Sequence, residues 1–335
     1  MKHKYLWISV ALAFLGSLYL YVQTFTPPTG PRQDKEIEFP ENAAFREVAA
    51  KLEHEGLIRN AWIFTQLARW KKIDRNVRAG TYALNSSMTP EKIISIFREG
   101  RIIEIPITFP EGLSAAQVGM LLERHGLLTA EKFRAMIDDP ALVATFKVEG
   151  PTLEGYLFPD TYLFPKGMKP LEIIRKMVRR YKEIYTPELA ERAKAIGLSE
   201  REIITIASIV EKEVLTEFER PIVAAVCYNR LKIGMPLQSD PTVIYALGDR
   251  FTGKLKRKDM VYDSPYNTYR YKGLPPGPIA NPGKASIIAA LYPAKTKYLY
   301  FVSKKDGTHY FSKTYNEHSA AVRKYLIQGK NGKQG

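Results

Sequence analysis

The sequence predicts an α+β protein in three parts: an N-terminal transmembrane helix, a small α+β domain, and a larger α+β domain whose strongest chemical signal lies on a helix. Two observations predict this class. Residues 5–22 form an uncharged apolar run, followed by a linker with proline and glycine at residues 23–36. Beyond the linker, short strand-like runs alternate with amphipathic helical patterns, in a chain of 335 residues that is long enough for two domains.

The N-terminus is predicted to be a membrane anchor. Residues 5–22 read YLWISVALAFLGSLYLYV, which is just long enough to cross the hydrocarbon core of a bilayer. Lys2 and Lys4 precede the span and favour a cytoplasmic location for residues 1–4. We therefore expect a single-pass protein of the cytoplasmic membrane with the remaining chain on the outer, periplasmic side. A cleaved signal peptide is the alternative, but no small-x-small site is evident near residues 23–28.

The composition restricts the classes of function. Lys and Arg number 50 against 35 for Asp and Glu, a formal net charge of +15. Such a field attracts polyanions, among them nucleic acid, anionic lipid and a wall polymer with carboxylates. Outside the cytoplasm, nucleic acid is a poor partner. The single Cys227 excludes an intramolecular disulfide, and the five scattered histidines lack the spacing of a zinc site, so we expect no metal and no cofactor.

Residues 37–101 are predicted to form the small domain. A strand-like IEF leads into helical patterns, and AGTYAL reads as a second strand. The size of this module suits a LysM-like domain that binds the cell wall. Its Trp62, Trp70 and Tyr82 are candidate platforms for sugars, but we expect them to be buried core aromatics.

The larger domain is predicted to span residues 102–335. It opens with the strand-like run IIEIPITF, which leads through Pro110-Glu111-Gly112 into further helices. The segment EGYLFPDTYLFP at residues 154–165 interleaves aromatics with Glu154 and Asp160. This composition fits a loop that lines a groove, and a turn with core tyrosines fits equally well.

The segment SEREIITIASIVEKEVL, residues 199–215, carries the chemistry. Ser199 and Glu202 form the capping-box pattern that begins a helix. The neighbours of Glu211 at i−7, i−4, i+3 and i+4 on that helix are apolar, so its carboxyl group is expected to project from the buried stripe. Burial raises the pKa of a carboxyl group because it disfavours the ion, and a glycosidase acid needs this property.

Glu213 competes with Glu211 for this role. Its i+3 and i+4 neighbours are Thr216 and Glu217, which predict a wetter face of the helix. An ion pair with Lys212, Lys254 or an arginine is the structural alternative for both glutamates.

Several long motifs then point to one family. They are IASIVEKEV at 206–214, YNRLKIGMPLQSDPTVIYALG at 228–248, SPYNTY at 264–269, GLPPGPIANPG at 273–283 and HYFSKTYNEH at 309–318. In this order, over nearly the whole chain, they resemble the YceG-like family, the MltG endolytic murein transglycosylases. The resemblance implies a lytic transglycosylase, a carbon–oxygen lyase that cuts the bond between N-acetylmuramic acid and N-acetylglucosamine in nascent peptidoglycan and leaves 1,6-anhydro ends.

The resemblance also implies the site and the biological setting. Glu211, the first glutamate of IVEKE, would be the catalytic residue, in agreement with the helical pattern. One carboxyl group suffices for such a lyase, because it first protonates the glycosidic oxygen and then accepts the proton of the C6 hydroxyl. The enzyme would act in cell wall assembly and glycan length control, beside penicillin-binding proteins of the wall-synthesis complex.

The motifs and the groove-lining segment supply six candidate substrate-binding residues: Gln238, Asp240, Tyr266, Asn267, Glu154 and Tyr156. For Asp240 there is an alternative, because Asp followed by proline is also a normal entry to a helix.

Three other functions compete with the lyase. The first is a non-catalytic scaffold that binds peptidoglycan for the wall-synthesis machinery. The second is a lysozyme-like hydrolase, with Asp240 or Glu154 as the second carboxylate. The third is an amide hydrolase that uses Ser208 and Lys212, although the motifs of such enzymes are absent.

Overall fold

The computed structural model describes residues 2–75 and 77–327. Met1 and residues 328–335, which fall in the predicted N-terminal segment and the predicted domain 102–335, lie outside the described residues. Helices and short strands alternate along the described chain, where the strands pair into three two-stranded sheets. The predicted α+β class is confirmed.

The elements up to residue 165 are α1 (Lys2–Phe25), β1 (Asp34–Phe39), α2 (Phe45–His54), α3 (Ala61–Trp70), β2 (Gly80–Asn85), α4 (Pro90–Arg98), β3 (Glu104–Thr108), α5 (Ala115–Arg124), α6 (Ala130–Ile137), α7 (Pro140–Thr145) and β4 (Thr161–Pro165). Those that follow are α8 (Pro170–Ile184), α9 (Pro187–Ala195), α10 (Glu200–Glu213), α11 (Arg220–Lys232), α12 (Asp240–Leu247), α13 (Lys284–Leu291), β5 (Tyr300–Ser303), β6 (His309–Ser312) and α14 (Tyr315–Val322).

Contacts within the chain divide it into two compact units. The first unit comprises the residues up to Pro106 together with Leu163–Met168. The second comprises Ile107–Tyr162 and the residues from Lys169 onward. This division falls a few residues after the predicted start of the larger domain, and the predicted domain limits stay a prediction.

Helix α1 opens the first unit. From Lys4 to Phe25 it has the length and the apolar character needed to cross a membrane. Its residues from Lys4 to Tyr21 are exposed, whereas Val22–Thr24 are partly covered. These features agree with a single-pass membrane anchor, and the side of the membrane on which each end lies stays a prediction.

The first unit has its own core beneath an antiparallel pair of strands. Strands β1 and β2 pair so that Ile37 lies opposite Tyr82, and both side chains join a cluster with residues of α2, α3 and α4. Tyr82 is fully buried, as predicted. The expectation of burial is wrong for Trp62 and Trp70, which are 68% and 78% exposed. The inward face of α3 is already occupied by other side chains, so both indoles lie outside the core.

The core of the second unit is built around α10. The capping box predicted for its N-terminus is present, because Ser199 Oγ accepts from Glu202 N–H and the Glu202 carboxylate accepts from Ser199 N–H. Every residue of Ile203–Val210 is buried, so neighbouring elements cover α10 on all sides, among them α11 and α13. Because close packing on all sides fixes the position of α10, the last turn of the helix has little freedom to move.

Helix α10 ends at Glu213, earlier than the pattern suggested. Val214 is extended, and Leu215 is 84% exposed. The predicted i+3 and i+4 neighbours of Glu211 and Glu213 therefore do not lie on the helix. These neighbours therefore do not distinguish the two glutamates, and the prediction based on them is wrong, because the chain leaves the helix at Val214.

Gly155 shows how tightly the second unit is packed. Its φ is +89°, and its N–H donates to Asn281 Oδ1 at 3.0 Å. A Cβ atom at this position would lie 2.5 Å from Pro278 Cγ and 2.8 Å from Ile204 Cγ2. No side chain fits there without displacing the loop or the central helix.

Replacing Gly155 by Ala should destabilise the protein by about 2–4 kcal/mol, because backbone strain and overpacking act together. The matched control is Gly126→Ala, where φ is +69° and no atom lies within 4 Å of the added Cβ. That variant should lose only about 1 kcal/mol, from backbone strain alone. Denaturant unfolding of both variants checks this, and equal losses would contradict the packing at Gly155.

Candidate active site

Glu211 lies in the last turn of α10 with its carboxyl group almost enclosed. The side chain is 6% exposed. Oε1 accepts a hydrogen bond from Arg220 Nη2 at 3.2 Å, and Oε2 accepts one from Gly283 N–H at 2.9 Å. The burial expected from the sequence is present, and the arginine partner considered as the structural alternative is present as well.

Arg220 is the residue that organises this group of side chains. It begins α11 and is 9% exposed. Its Nε donates to Ser286 Oγ at 3.0 Å, and its Nη2 lies 3.2 Å from Glu211 Oε1 and 3.9 Å from Glu111 Oε2. One guanidinium therefore serves two carboxyl groups, and the bond to Ser286 fixes its orientation.

Glu111 is the second carboxyl group of the site, and the sequence arguments did not select it. Its side chain is 48% exposed. Burial first, and the nearby charge of Glu211 second, raise the pKa of Glu111 above its usual range, whereas Arg220 acts in the opposite direction. A Cβ atom on Gly283 would lie 1.8 Å from Glu111 Oε1, so position 283 must be glycine for this carboxyl group to stand where it does.

The turn that carries Glu111 is fastened from two sides. Lys212 Nζ donates to the carbonyl oxygen of Gly112 at 3.1 Å. The N–H of Gly112 donates to the carbonyl oxygen of Asn281 at 2.9 Å, and the N–H of Asn281 donates to that of Leu113 at 2.8 Å. The proline- and glycine-rich loop before α13 thus supplies both Asn281 and Gly283, and it joins the turn to the end of α10.

A cavity of about 550 Å³ lies beside this turn. Gly112 and Lys212 line it, together with residues of α5 and α12 such as Met120 and Tyr245. A Cβ atom on Gly112 would lie 3.4 Å from Glu211 Cγ, so one residue of the cavity wall, Gly112, lies next to the side chain of Glu211. The volume falls within the range of ligand-binding pockets.

Glu154 also lines the cavity, but donors surround its carboxylate. Its two oxygens accept from Ala115 N–H at 2.9 and 3.1 Å. Oε2 accepts from the hydroxyl of Tyr245 at 3.2 Å, and Oε1 lies 3.4 Å from Asn281 Nδ2. Burial raises the pKa of Glu154 to about 7, against the effect of these hydrogen bonds. The carboxyl group therefore holds the start of α5 to the wall of the cavity.

Two of the other predicted residues lie inside the protein. Tyr156 is 1% exposed, packs against Tyr181 in the core and donates its hydroxyl to the carbonyl oxygen of Glu149. Asn267 is fully buried, and its Nδ2 donates to the carbonyl oxygens of Met260 and Tyr262 at 3.0 and 2.8 Å. These contacts leave neither side chain a surface for substrate, so the expectation that they bind it is not supported.

The remaining three candidates lie near α12. Gln238 is exposed with φ +48°. Asp240 begins α12, as the alternative interpretation held, and accepts from the hydroxyl of Tyr269 at 2.6 Å. The ring of Tyr266 is half-buried, with its centre 4.9 Å from that of Tyr245. All three lie outside the direct hydrogen bonds of Glu211.

Glu213 faces a different side of the helix end from Glu211. Its Oε1 accepts from Ser239 Oγ at 2.5 Å. Burial raises the pKa of Glu213 to about 7, and the charge of Asp240 adds to this, whereas the bond from Ser239 lowers it. By exposed surface Glu213 is partly buried, as Glu211 is, so the prediction that its environment is wetter than that of Glu211 stays a prediction.

The contacts of Ser208 argue against an amide hydrolase. Ser208 is fully buried, donates to the carbonyl oxygen of Thr205 at 2.8 Å and accepts from Ile279 N–H at 3.0 Å. Since Lys212 Nζ is directed to Gly112, the two side chains do not form the predicted pair. Cys227 is buried, as expected of a core residue. Within residues 2–75 and 77–327 no group of three or more His, Cys, Asp or Glu side chains is arranged to hold a metal ion.

Comparison with known proteins agrees on one family. The family model described as the YceG-like family matches residues 37–324. The chain is 35% identical to the endolytic murein transglycosylase of Bacillus subtilis (strain 168), and the match covers 95% of this chain and 92% of that protein. It is 29% identical to the endolytic murein transglycosylase of Streptococcus pneumoniae serotype 2 and spans 62% of that protein's length.

A solved structure is similar as well. The crystal structure of a yceG-like protein from Listeria monocytogenes gives a TM-score of 0.59 at 34% sequence identity. The match covers 87% of this chain and all of that chain.

Glu154→Gln should remove a pH-dependent loss of stability. The pKa of Glu154 is raised from 4.5 to about 7, so the carboxyl group stabilises the fold below the lower value and loses that contribution as pH rises through the higher one. Gln keeps an acceptor for Ala115 N–H and carries no charge. The variant should therefore gain on the order of 2–3 kcal/mol over the wild type at about pH 8 and little at about pH 4.5.

Thermal unfolding of both proteins across this range measures the difference. Glu131→Gln, at an exposed glutamate of α6, is the matched control for the loss of one carboxyl group. If the wild type were more stable than Glu154→Gln, and increasingly so as the pH rises, the environment described for Glu154 would be contradicted.

Proposed function

This chain belongs to the YceG-like family, and from this premise we propose that Glu211 is both the acid and the base of its reaction. The protein is an endolytic murein transglycosylase, the activity for which its relatives are named. Its substrate class is peptidoglycan. One observation carries the choice of Glu211: its nearly enclosed carboxyl group is held by two donors beside a cavity of suitable size.

The chemistry requires one group that can give and then take a proton. Protonated Glu211 donates to the glycosidic oxygen as the bond from that oxygen to C1 of N-acetylmuramic acid breaks. The C6 hydroxyl of the same sugar then attacks C1, and its proton passes to the Glu211 carboxylate. The new C1–O6 bond closes the 1,6-anhydro ring, Glu211 regains its proton, and no water is consumed.

The arrangement around Arg220 supports this exchange of a proton. Both oxygens of Glu211 accept hydrogen bonds in the structure, so the group stands there as an acceptor. To act as an acid, Glu211 must carry a proton on one of its oxygens, and the hydrogen bond that this oxygen accepts from Arg220 or from Gly283 N–H is then weakened or lost. Arg220 has a second carboxyl group within 4 Å, at Glu111, and can remain paired when Glu211 is neutral.

The hydrolase alternative now has a different second carboxyl group. The sequence offers Asp240 and Glu154 for this role, but donors surround the carboxylate of Glu154. Glu111 is half-exposed and shares Arg220 with Glu211. In a retaining hydrolase such a pair supplies an acid and a nucleophile. In the lyase the same carboxylate stabilises the positive charge that develops at C1.

The finer features of the role are part of this proposal. The enzyme cuts nascent strands and so limits glycan length, alongside penicillin-binding proteins of the wall-synthesis complex. Helix α1 spans the cytoplasmic membrane with its N-terminus inside, so that the second unit meets peptidoglycan on the outer side. The strand–helix–helix–strand order of β1, α2, α3 and β2 supports a LysM-like module that binds the wall.

Glu211→Gln should lower the rate of cleavage about 10²–10⁴-fold, because the amide can neither donate to the leaving oxygen nor accept the proton of C6–OH. Glu213→Gln is the matched control, two residues away on the same helix, and should retain most activity. The assay is incubation of the detergent-solubilised chain with purified peptidoglycan, followed by mass spectrometry of the new sugar ends.

The form of the ends separates the alternatives. Anhydromuramic ends from the wild type and Glu213→Gln, but not from Glu211→Gln, are expected. Reducing ends formed with water would instead indicate a hydrolase. Binding without cleavage by the wild type would favour the scaffold, and equal activity of all three proteins would remove Glu211 from the site.

Glu111→Gln should slow cleavage about tenfold to a hundredfold and shift its pH optimum downward. Without Glu111, Arg220 is left with Glu211 as its carboxylate partner, and this pairing favours the ion over the acid. Glu111→Asp keeps the charge and should retain the wild-type optimum at reduced rate. An unchanged pH profile in Glu111→Gln, with only a lower melting temperature, would assign Glu111 a purely structural role.

A further inference from the structure

Along the chain, residues 34–101 of the first unit divide into an acidic half and a basic half. Residues 34–56 contain seven Asp and Glu against three Lys and Arg, whereas residues 57–101 contain nine Lys and Arg against three Asp and Glu. The basic half comprises α3, β2 and α4. Residues 57–101 therefore carry the excess of positive charge that an anionic surface attracts.

Two exposed tryptophans lie in the basic half. Trp62 and Trp70 stand near the two ends of α3, about 12 Å apart along the helix. The core does not use them, because other residues of α3 face inward. Lys71 Nζ lies 5.8 Å from the centre of the Trp70 ring but is paired with Glu91, whereas Arg69 beside Trp70 is exposed. Tryptophan combined with lysine or arginine is the composition of membrane interfaces, where the indole enters the headgroup region and the cation meets phosphate.

The membrane anchor reaches the same part of the unit. Helix α1 contacts both α3 and α4. Its residues Lys4 to Tyr21 are exposed, and only its last turns, from Val22, are partly covered. Just beyond the helix, Arg59 Nη2 donates to the carbonyl oxygen of Pro27 at 2.6 Å. The anchor is therefore exposed along the length that a bilayer requires and is partly covered only in its last turns.

We propose that the basic half of the first unit lies on the surface of the membrane that holds α1 and binds anionic lipid headgroups there. Trp62 and Trp70 enter the interfacial layer, and arginines such as Arg69 and Arg75, both exposed, contact the phosphates. The first unit then has one fixed orientation relative to the bilayer, because the same surface always contacts the headgroups.

Lipid is favoured over a wall glycan by continuity with the anchor. An aromatic ring binds a sugar only where a glycan strand can reach it. Helices α3 and α4 instead contact α1, the helix that crosses the membrane, so their exposed side chains lie close to the lipid headgroups. The charge pattern agrees, since juxtamembrane clusters of Lys and Arg are attracted to anionic lipid.

Quenching of tryptophan fluorescence tests the proposal. The chain has three tryptophans, so Trp7→Phe within α1 leaves Trp62 and Trp70 as the remaining indoles. The full-length variant is placed in lipid nanodiscs whose acyl chains carry bromine close to the headgroups, with either phosphatidylglycerol or phosphatidylcholine. Quenching with a blue shift is expected in the anionic discs, at least about twofold stronger than in the neutral ones and reduced by salt.

Charge reversal identifies the surface. Arg69→Glu with Arg75→Glu, in the Trp7→Phe background, should reduce the quenching to the level seen in neutral lipid. Lys232→Glu, at an exposed lysine of the second unit, should leave it unchanged. Circular dichroism establishes that each variant is folded. Absence of quenching in anionic discs would overturn the proposal, and so would quenching that the charge reversal at Arg69 and Arg75 leaves unchanged. Neither result depends on whether the enzyme cleaves its substrate.

Discussion

The side chain of Arg220 is the interaction on which the rest of the site depends. A guanidinium that is 9% exposed must be matched by carboxylates and hydrogen-bond acceptors, because removing one partner leaves an uncompensated buried charge. Glu211 and Ser286 supply that match, and Glu111 lies within reach. The position of the proposed acid and base is therefore tied to the stability of the fold itself.

The chain brings Arg220 to Glu211 by ending a helix early. Helix α10 ends at Glu213, and the segment that follows leads into α11 only seven residues later. Glu219, 1% exposed, accepts from His309 at both its backbone N–H and its ring Nδ1, at 2.8 and 2.7 Å. Two consecutive residues of opposite charge thus bind different partners: Glu219 binds His309 of β6, and Arg220 binds Glu211. The start of α11 is therefore held on two sides.

Local pattern predicted what local forces determine. The capping box of α10, the helical position of Glu211 and the apolar span of α1 follow from residues within one or two turns of each other. Glu111 and Gly283 were missed because they come from positions 100 and 72 residues away from Glu211, and only the packed fold joins them. Trp62 and Trp70 were misjudged for a related reason: hydrophobicity predicts burial only when the core has room, and the inward face of α3 was already filled.

A raised pKa does not by itself identify the catalytic group in this protein. Glu154 and Glu213 both have pKa values raised to about 7 by burial, yet donors within the fold hold each of them in place. Interior hydrogen-bond networks shift a pKa as readily as active sites do. The pairing with Arg220 separates the candidates: its guanidinium binds Glu211 and has a second carboxyl group, that of Glu111, within reach. A carboxyl group that must both donate and accept a proton needs a partner that tolerates either state, and among these three glutamates Glu211 has that partner in Arg220.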